Sequence, residues 1–210
     1  KKELSKLIKK YKSKNGSFDC IVPVSGGKDG SYVAHQLKHE FGMNPLCVTW
    51  SPLMPTEIGQ KNLEAFKQSG FAHLLGSADA TVTRLLTSLS LKHLGDPFQP
   101  FIYGQTNFPL SISHKYNIPL IFYGENEAEY GNPIADNSVS LRSKDYYSIK
   151  NYSNIFLAGI SIKELMEKYS LKLGDLKAFL PIDEDNLNKT KMEIHYLGYY
   201  LRWIPQEAYY

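Results

Sequence analysis

Apolar side chains recur along this chain in two rhythms, and the switches between them mark its elements. Leu4, Leu7, Ile8 and Tyr11 fall at helical spacing among six lysines between residues 2 and 14, which predicts an amphipathic surface helix with a solvated basic face. "KNGSFD" interrupts that rhythm, and an apolar run from Asp19 to Val24 predicts the first strand. Val33, Ala34, Leu37 and Phe41 then share one face of a helix expected over Ser31 to Phe41, stopped by "GMNP". "PLCVTWS" follows as a second strand. A strand, helix and strand in about thirty residues imply parallel pairing through a right-handed crossover.

The alternation continues. A helix is expected from Thr56 to Gln68, with Thr56 as its cap, and "GFAHLLG" reads as a third strand. Asp79 to Leu94 reads as a helix with Val82, Leu85, Leu86 and Leu89 inward, broken by "GDPFQP". A further helix over Gln105 to Tyr116 leads into the buried strand "IPLIFYGEN", which ends in polar groups. Between Glu127 and Asn154 periodicity fails, as expected of a long functional or mobile loop. Ile162 to Tyr169 returns to helix, and "EIHYLGYYLRWIP" reads as a late strand or sheet edge. The class is α/β: a doubly wound, mostly parallel sheet that binds ligands beyond the carboxyl ends of its strands. Residues 1–17 form a helical lead-in, 18–160 the α/β domain and 161–210 a helical and strand extension.

Composition narrows the function classes. With 210 residues, 42% hydrophobic and 13% aromatic, the chain can bury a full core. Twenty-four basic against twenty-one acidic residues leave a net charge of +3, which argues against nucleic acid as a partner. Cys20 and Cys47 sit in the apolar runs "FDCIVPV" and "PLCVTW" and read as buried thiols. On the count of two cysteines, a disulfide framework and a four-ligand zinc site within this chain are not expected. His35 and His39 share a helix face at i, i+4 without a third ligand nearby, so zinc is not expected there. No run reaches the ~18 apolar residues of a membrane span and the start carries no signal peptide, so a cytoplasmic location is expected. Starting at Lys1 and ending in "QEAYY", the chain reads as a fragment of a longer protein.

Chemistry concentrates where the first strand hands over to the first crossover helix, at Ser25, Gly26, Gly27, Lys28, Asp29, Gly30 and Ser31. Glycines permit a sharp bend that presents successive backbone N–H groups, and a helix N-terminus adds donors and partial positive charge, together an anion cradle. The pattern G-x-x-x-x-G-K-[ST] fails, because Val22 stands where its first glycine belongs and Asp29 follows the lysine. G-x-G-x-x-G fails as well. The stretch resembles the SGGxDS signature of the PP-loop ATP pyrophosphatase family, with Gly30 inserted before the last serine. That resemblance implies an adenine nucleotide alpha hydrolase-like fold for the α/β domain, with ATP and Mg²⁺ as cofactors. It also implies cleavage between the α and β phosphates to adenylate a carbonyl oxygen. Lys28 and Asp29 would then be catalytic, with Asp29 holding Mg²⁺ or its waters. Ser25, Gly26, Gly27, Gly30 and Ser31 would bind phosphate, and Thr49, Trp50 and Ser51 would read adenine largely through backbone groups.

Longer matches narrow the resemblance. "FDCIVPVSGGKD", "GMNPLCVTWSP", "TEIG", "NIPLIFYGEN" and "EYG", spread across residues 11 to 205, are similar to an N-acetyl sugar amidotransferase subgroup that serves bacterial O-antigen lipopolysaccharide and flagellin glycan synthesis. The implied reaction converts an acetamido group on a nucleotide-linked or related N-acetylated sugar into an acetamidino group, ammonia displacing AMP. The implied partners are glutaminase and ammonia-channel proteins resembling HisH and HisF. The motif "GEN…EYG" would make Glu125 and Glu129 catalytic, by binding Mg²⁺, orienting ammonia or accepting its proton. Asn126, Tyr130, Glu57 and Arg142 would bind the sugar, with Lys144 beside Arg142; Trp203 reads as packing. The subgroup's cysteine-rich segment ahead of the first helix is missing, for which truncation is the first explanation. Two other readings stand beside this one: a tRNA-modifying PP-loop ligase, and a nucleotide-binding sensor without catalysis.

Overall fold

The computed structural model describes residues 1–124, 141, 148–149, 155–202, 204 and 206. Its centre is a five-stranded sheet built from β1 (Cys20–Pro23), β2 (Pro45–Trp50), β3 (Ala72–Gly76), β4 (Leu120–Tyr123) and the late strand Glu193–Tyr196. Two short pairs lie apart from it: β5 (Ser148–Ile149) with β8 (Ile182–Asp183), and β6 (Phe156–Leu157) with β7 (Ile160–Ser161). The late strand is therefore β9. The main sheet runs in the order β3-β2-β1-β4-β9 with every neighbour parallel.

Alternation along the strands buries both faces. Cys20 and Val22 of β1, Val24 just beyond it, Cys47 of β2 and Leu120 and Phe122 of β4 face one apolar cluster. It is covered by α1 (Lys2–Tyr11) and α2 (Lys28–His35), which continues as a wider turn over Gln36–Glu40. Ile21, Leu46, Val48, Ile121 and Ile194 face the other cluster, beside Leu110 of α5 (Gln99–Tyr116) and Leu187 of α8 (Glu184–Thr190). Helices on both faces of a parallel sheet make the fold the doubly wound α/β class expected. α3 (Glu57–Gln68) follows β2 and α4 (Ala80–Leu94) follows β3. A third cluster joins Val82, Leu86 and Leu89 of α4 to Leu157, Ile160 and Leu165, the last on α6 (Ile162–Tyr169), and to Phe179. α7 (Leu173–Leu176) and α9 (Leu197–Tyr200) complete the helices named here. Among the described residues no helix is long and apolar enough to cross a membrane.

Several boundaries differ from the pattern, each for a local reason. α2 starts at Lys28 and not at Ser31, because Gly27 takes the extended cap geometry (φ −78°, ψ 168°) and the polar first turn carries no periodic signal. α5 starts at Gln99, ahead of the expected Gln105: Pro100 falls in its first turn, where a missing N–H costs nothing. α1 ends at Tyr11. The apolar run after Tyr196 turns helical as α9 instead of extending the strand. β9 also takes the expected extension into the central sheet, and Lys10 of α1 reaches its Glu193 at 2.5 Å. Cys20 and Cys47 are buried as expected; burial pushes the Cys20 thiol well up and the Cys47 thiol up to about 12.

Candidate functional site

The strand order reverses beside β1, since β2 and β3 lie to one side of it and β4 and β9 to the other. Such a switch point opens a crevice at the carboxyl ends of the strands. The glycine corner occupies it. Gly26 has φ +83°, and a Cβ there would stand 2.8 Å from the Leu63 backbone nitrogen of α3. A Cβ on Gly30 would meet the Pro23 carbonyl oxygen at 2.6 Å, and one on Gly124 would meet the Asp29 backbone at 2.8 Å. The corner is thus clasped by α3, by its own strand and by the end of β4, at separations that only glycine allows. The inserted Gly30 has its explanation here: it lets the first turn of α2 lie flat on the end of β1.

Gly27 caps α2 without a side chain that could accept from the first-turn amides. The N–H groups of Asp29 and Gly30 precede the helix's own hydrogen-bond ladder, which Ser31 enters by donating to the Gly27 carbonyl at 3.4 Å. Backbone donors and the helix dipole therefore face the crevice together. Lys28 Nζ and Asp29 Oδ1 form an ion pair at 2.6 Å, each side chain about 30% exposed. Ser25 is exposed on the cavity rim and Gly30 lines it, while Gly26, Gly27, Lys28, Asp29 and the half-buried Ser31 stand beside the cavity, outside its lining.

A cavity of about 330 Å³ opens from this corner. Pro23, Val24, Ser25 and Gly30 line it at the β1 end; Val48, Thr49 and Trp50 close it from β2. Thr56, Gly59, Gln60 and Leu63 of the α3 segment face Phe101, Gln105 and Pro109 of α5. Thr49 lines it while its hydroxyl is committed elsewhere. It donates to the Val24 carbonyl at 2.6 Å, so at 2.7 Å it accepts from His73, which must carry its proton on Nε2. Burial lowers the His73 pKa and favours the neutral ring. Trp50 packs into a notch on α5: a Cβ on Gly104 would meet the indole at 2.4 Å, and Phe108 lies 5.6 Å away between ring centroids. Ser51 donates its N–H to the Gly76 carbonyl at 2.7 Å and lines a neighbouring cavity of about 900 Å³.

Of the residues expected to bind substrate, Glu57 stands exposed in the first turn of α3, paired with Lys61 at 2.6 Å. It does not line the cavity. Thr56 does cap α3, accepting from the Gly59 N–H at 3.0 Å. Glu125, Asn126, Glu129, Tyr130 and Arg142 lie outside the described residues, as do Lys144 and Trp203. His35 and His39 bring their rings to 4.5 Å on the outer face of α2 and its continuation. Among the described residues no three His, Cys, Asp or Glu side chains gather as a cation site. Asp29 fits a Mg²⁺ that takes one carboxylate and completes its shell with phosphate oxygens and water, the usual preference of that ion. Sequence reasoning missed the wall supplied by α5. Its signals were a glycine and a proline, Gly104 and Pro109, inside one apolar helix.

No family model matches the chain. An uncharacterized protein of Methanocaldococcus jannaschii is 42% identical over 48 residues, which take in 23% of this chain and 17% of that protein. The chain therefore matches less than a fifth of that relative's length. A solved structure from the same organism, described as a predicted subunit of tRNA methyltransferase, is similar with a TM-score of 0.36 at 16% identity, covering 83% of this chain and 74% of that one. The chain's own sheet and helices place it in the doubly wound α/β class, with a glycine corner at the switch point.

Proposed function

We propose that this chain is the ATP-cleaving part of an AMP-forming ligase of the PP-loop kind. The observation that carries the reading is the clasped glycine corner, whose uncapped first turn opens into a cavity suited to a base and ribose. The volume falls at the small end of ligand pockets, roughly 300–1,000 Å³. The two outer phosphates rest on the amides of residues 26–30, and the base enters between Trp50 and Phe101. Mg²⁺, when bound through Asp29, supplies charge neutralisation for the departing pyrophosphate. Lys28 exchanges its Asp29 partner for phosphate oxygen and aids the same charge separation. An acceptor carbonyl oxygen attacks the α phosphorus, and the bond to the bridging oxygen of the β phosphate breaks. The resulting adenylate gives nitrogen or sulfur a good leaving group, AMP.

Two acceptor classes follow. One is tRNA, the acceptor of the second reading of the loop. The other is the N-acetylated sugar of the motif resemblance, with ammonia from a glutaminase partner. Glu57, the one sugar-binding candidate among the described residues, faces solvent, and nothing else described is particular to a sugar. The deciding measurement follows ATP cleavage products with ammonium or sulfide present, against tRNA and against a panel of nucleotide-linked N-acetyl sugars. AMP and pyrophosphate released with one acceptor class identify it; ADP and phosphate end the reading. Asp29→Ala is expected to reduce pyrophosphate release by roughly a hundredfold or more while urea unfolding stays unchanged.

A further inference from the structure

We infer that α5 selects the base: the main-chain carbonyl of Gln105 accepts a hydrogen bond from the exocyclic amine of adenine and turns away purines that carry oxygen at that position. In a helix each carbonyl accepts from the amide four residues on. Four residues beyond Gln105 stands Pro109, which has no N–H to give. Both residues line the cavity that opens from the glycine corner, and Pro109 is buried there. A carbonyl stripped of its helical donor at a cavity wall is an acceptor waiting for a ligand donor.

Several neighbouring groups are already committed, which favours this acceptor for the base edge. The Thr49 hydroxyl serves Val24 and His73, the Ser51 amide serves Gly76, and the Thr56 hydroxyl caps α3. Trp50 and Phe101 line the same cavity as flat apolar walls, and the indole is seated on Gly104, one residue from the carbonyl in question. The same short stretch of α5 thus fixes an aromatic wall and presents an edge-reading acceptor. Adenine offers an N–H donor at its six-position, whereas guanine and hypoxanthine offer an oxygen. Oxygen facing oxygen loses the bond and leaves two acceptors unsatisfied, a penalty of about tenfold or more in affinity.

The inference rests on the ATP reading above and is tested apart from it. The full chain is titrated with ATP, inosine triphosphate and N6,N6-dimethyl-ATP, each with magnesium. ATP is expected to bind about tenfold more tightly than the other two, since the dimethyl compound also lacks a donor. Pro109→Ala restores an amide to the Gln105 carbonyl and should bring the three within about threefold of one another. Gln105→Ala keeps the carbonyl and should preserve the ratio, whatever it does to each affinity. Equal binding of the three by the unaltered chain overturns the inference without touching the ATP reading, and so does a preference that survives Pro109→Ala. Binding of none of them overturns both. Equal binding of the three ligands by the unaltered chain overturns the inference even if a variant fails to fold, and Pro109→Ser restores the same amide should Pro109→Ala prove unstable.

Discussion

The first turns of α2 and α4 follow β1 and β3, two parallel strands of one sheet, yet they end their backbones in opposite ways. Asp79 closes α4 by accepting from the N–H groups of Thr81 and Val82 at 2.8 and 3.0 Å. Those charge-assisted bonds hold its carboxyl below the usual aspartate range. α3, α6 and α8 are closed in the same manner by Thr56, Ser161 and Asp183. α2 has glycine at the equivalent position. α1, α5, α7 and α9 also begin without a side-chain cap, so the missing acceptor at α2 gains its meaning from its place, beside the glycine corner at the switch point. It is the uncapped start together with the clasped glycines that sets this corner apart from a plain tight turn.

The comparison can be broken at several points. Gly30→Ala drives a methyl group against the Pro23 carbonyl, and should cost about 1–3 kcal/mol in urea unfolding together with nucleotide binding. Preserved stability would show that the corner is looser than its separations imply. Asp79→Ala removes the α4 cap and should cost about 1 kcal/mol while leaving nucleotide affinity alone, which separates folding caps from ligand caps. Gly27→Asp makes the reverse exchange. The backbone there already has cap geometry and a Cβ would touch only the Ser25 hydroxyl, at 3.3 Å. Stability should rise by a few tenths of a kcal/mol, and phosphate binding should fall as the new carboxylate takes the amides.

The smallest effect expected is on pH dependence. Burial is the largest influence on His73 and His195, lowering both pKa values, and for His195 it outweighs the opposing pull of Glu193. The unfolded chain then binds protons more readily than the folded one near the ordinary histidine pKa of about 6.5. Their contribution is complete above that value and is lost as the pH falls through the lowered folded values. Urea midpoints should decline from pH 7 to pH 5, and a flat profile would contradict the burial of these rings.

Much of this architecture could be read from apolar rhythm. The runs in β1, β2 and β4 are short, continuous and bounded by turn residues, so their place in a two-sided parallel sheet was legible, and the polar corner after β1 stood out against them. Legibility failed where a residue's meaning depends on position. Pro100 reads as a breaker until it is known to lie in a first turn, and Gly30 reads as an interruption until the Pro23 carbonyl is set beside it. The α5 wall was hidden because Gly104 and Pro109 act through what they omit, a side chain and a donor. Glu57 matched a motif, yet its place at the head of α3 turns it toward Lys61. The candidates from Glu125 to Arg142 lie outside the described residues, and their roles rest on the motif resemblance alone.

β9 completes the sheet against β4, with Leu120 beside Glu193 and Tyr123 beside Tyr196. During synthesis the outer edge of β4 therefore emerges long before the strand that will cover it. Until then that apolar edge offers bare amides and carbonyls to any extended chain nearby. Ribosome-bound intermediates halted ahead of β9 should be the species that chaperones hold, and stop codons placed there should yield aggregates while retaining the entire glycine corner.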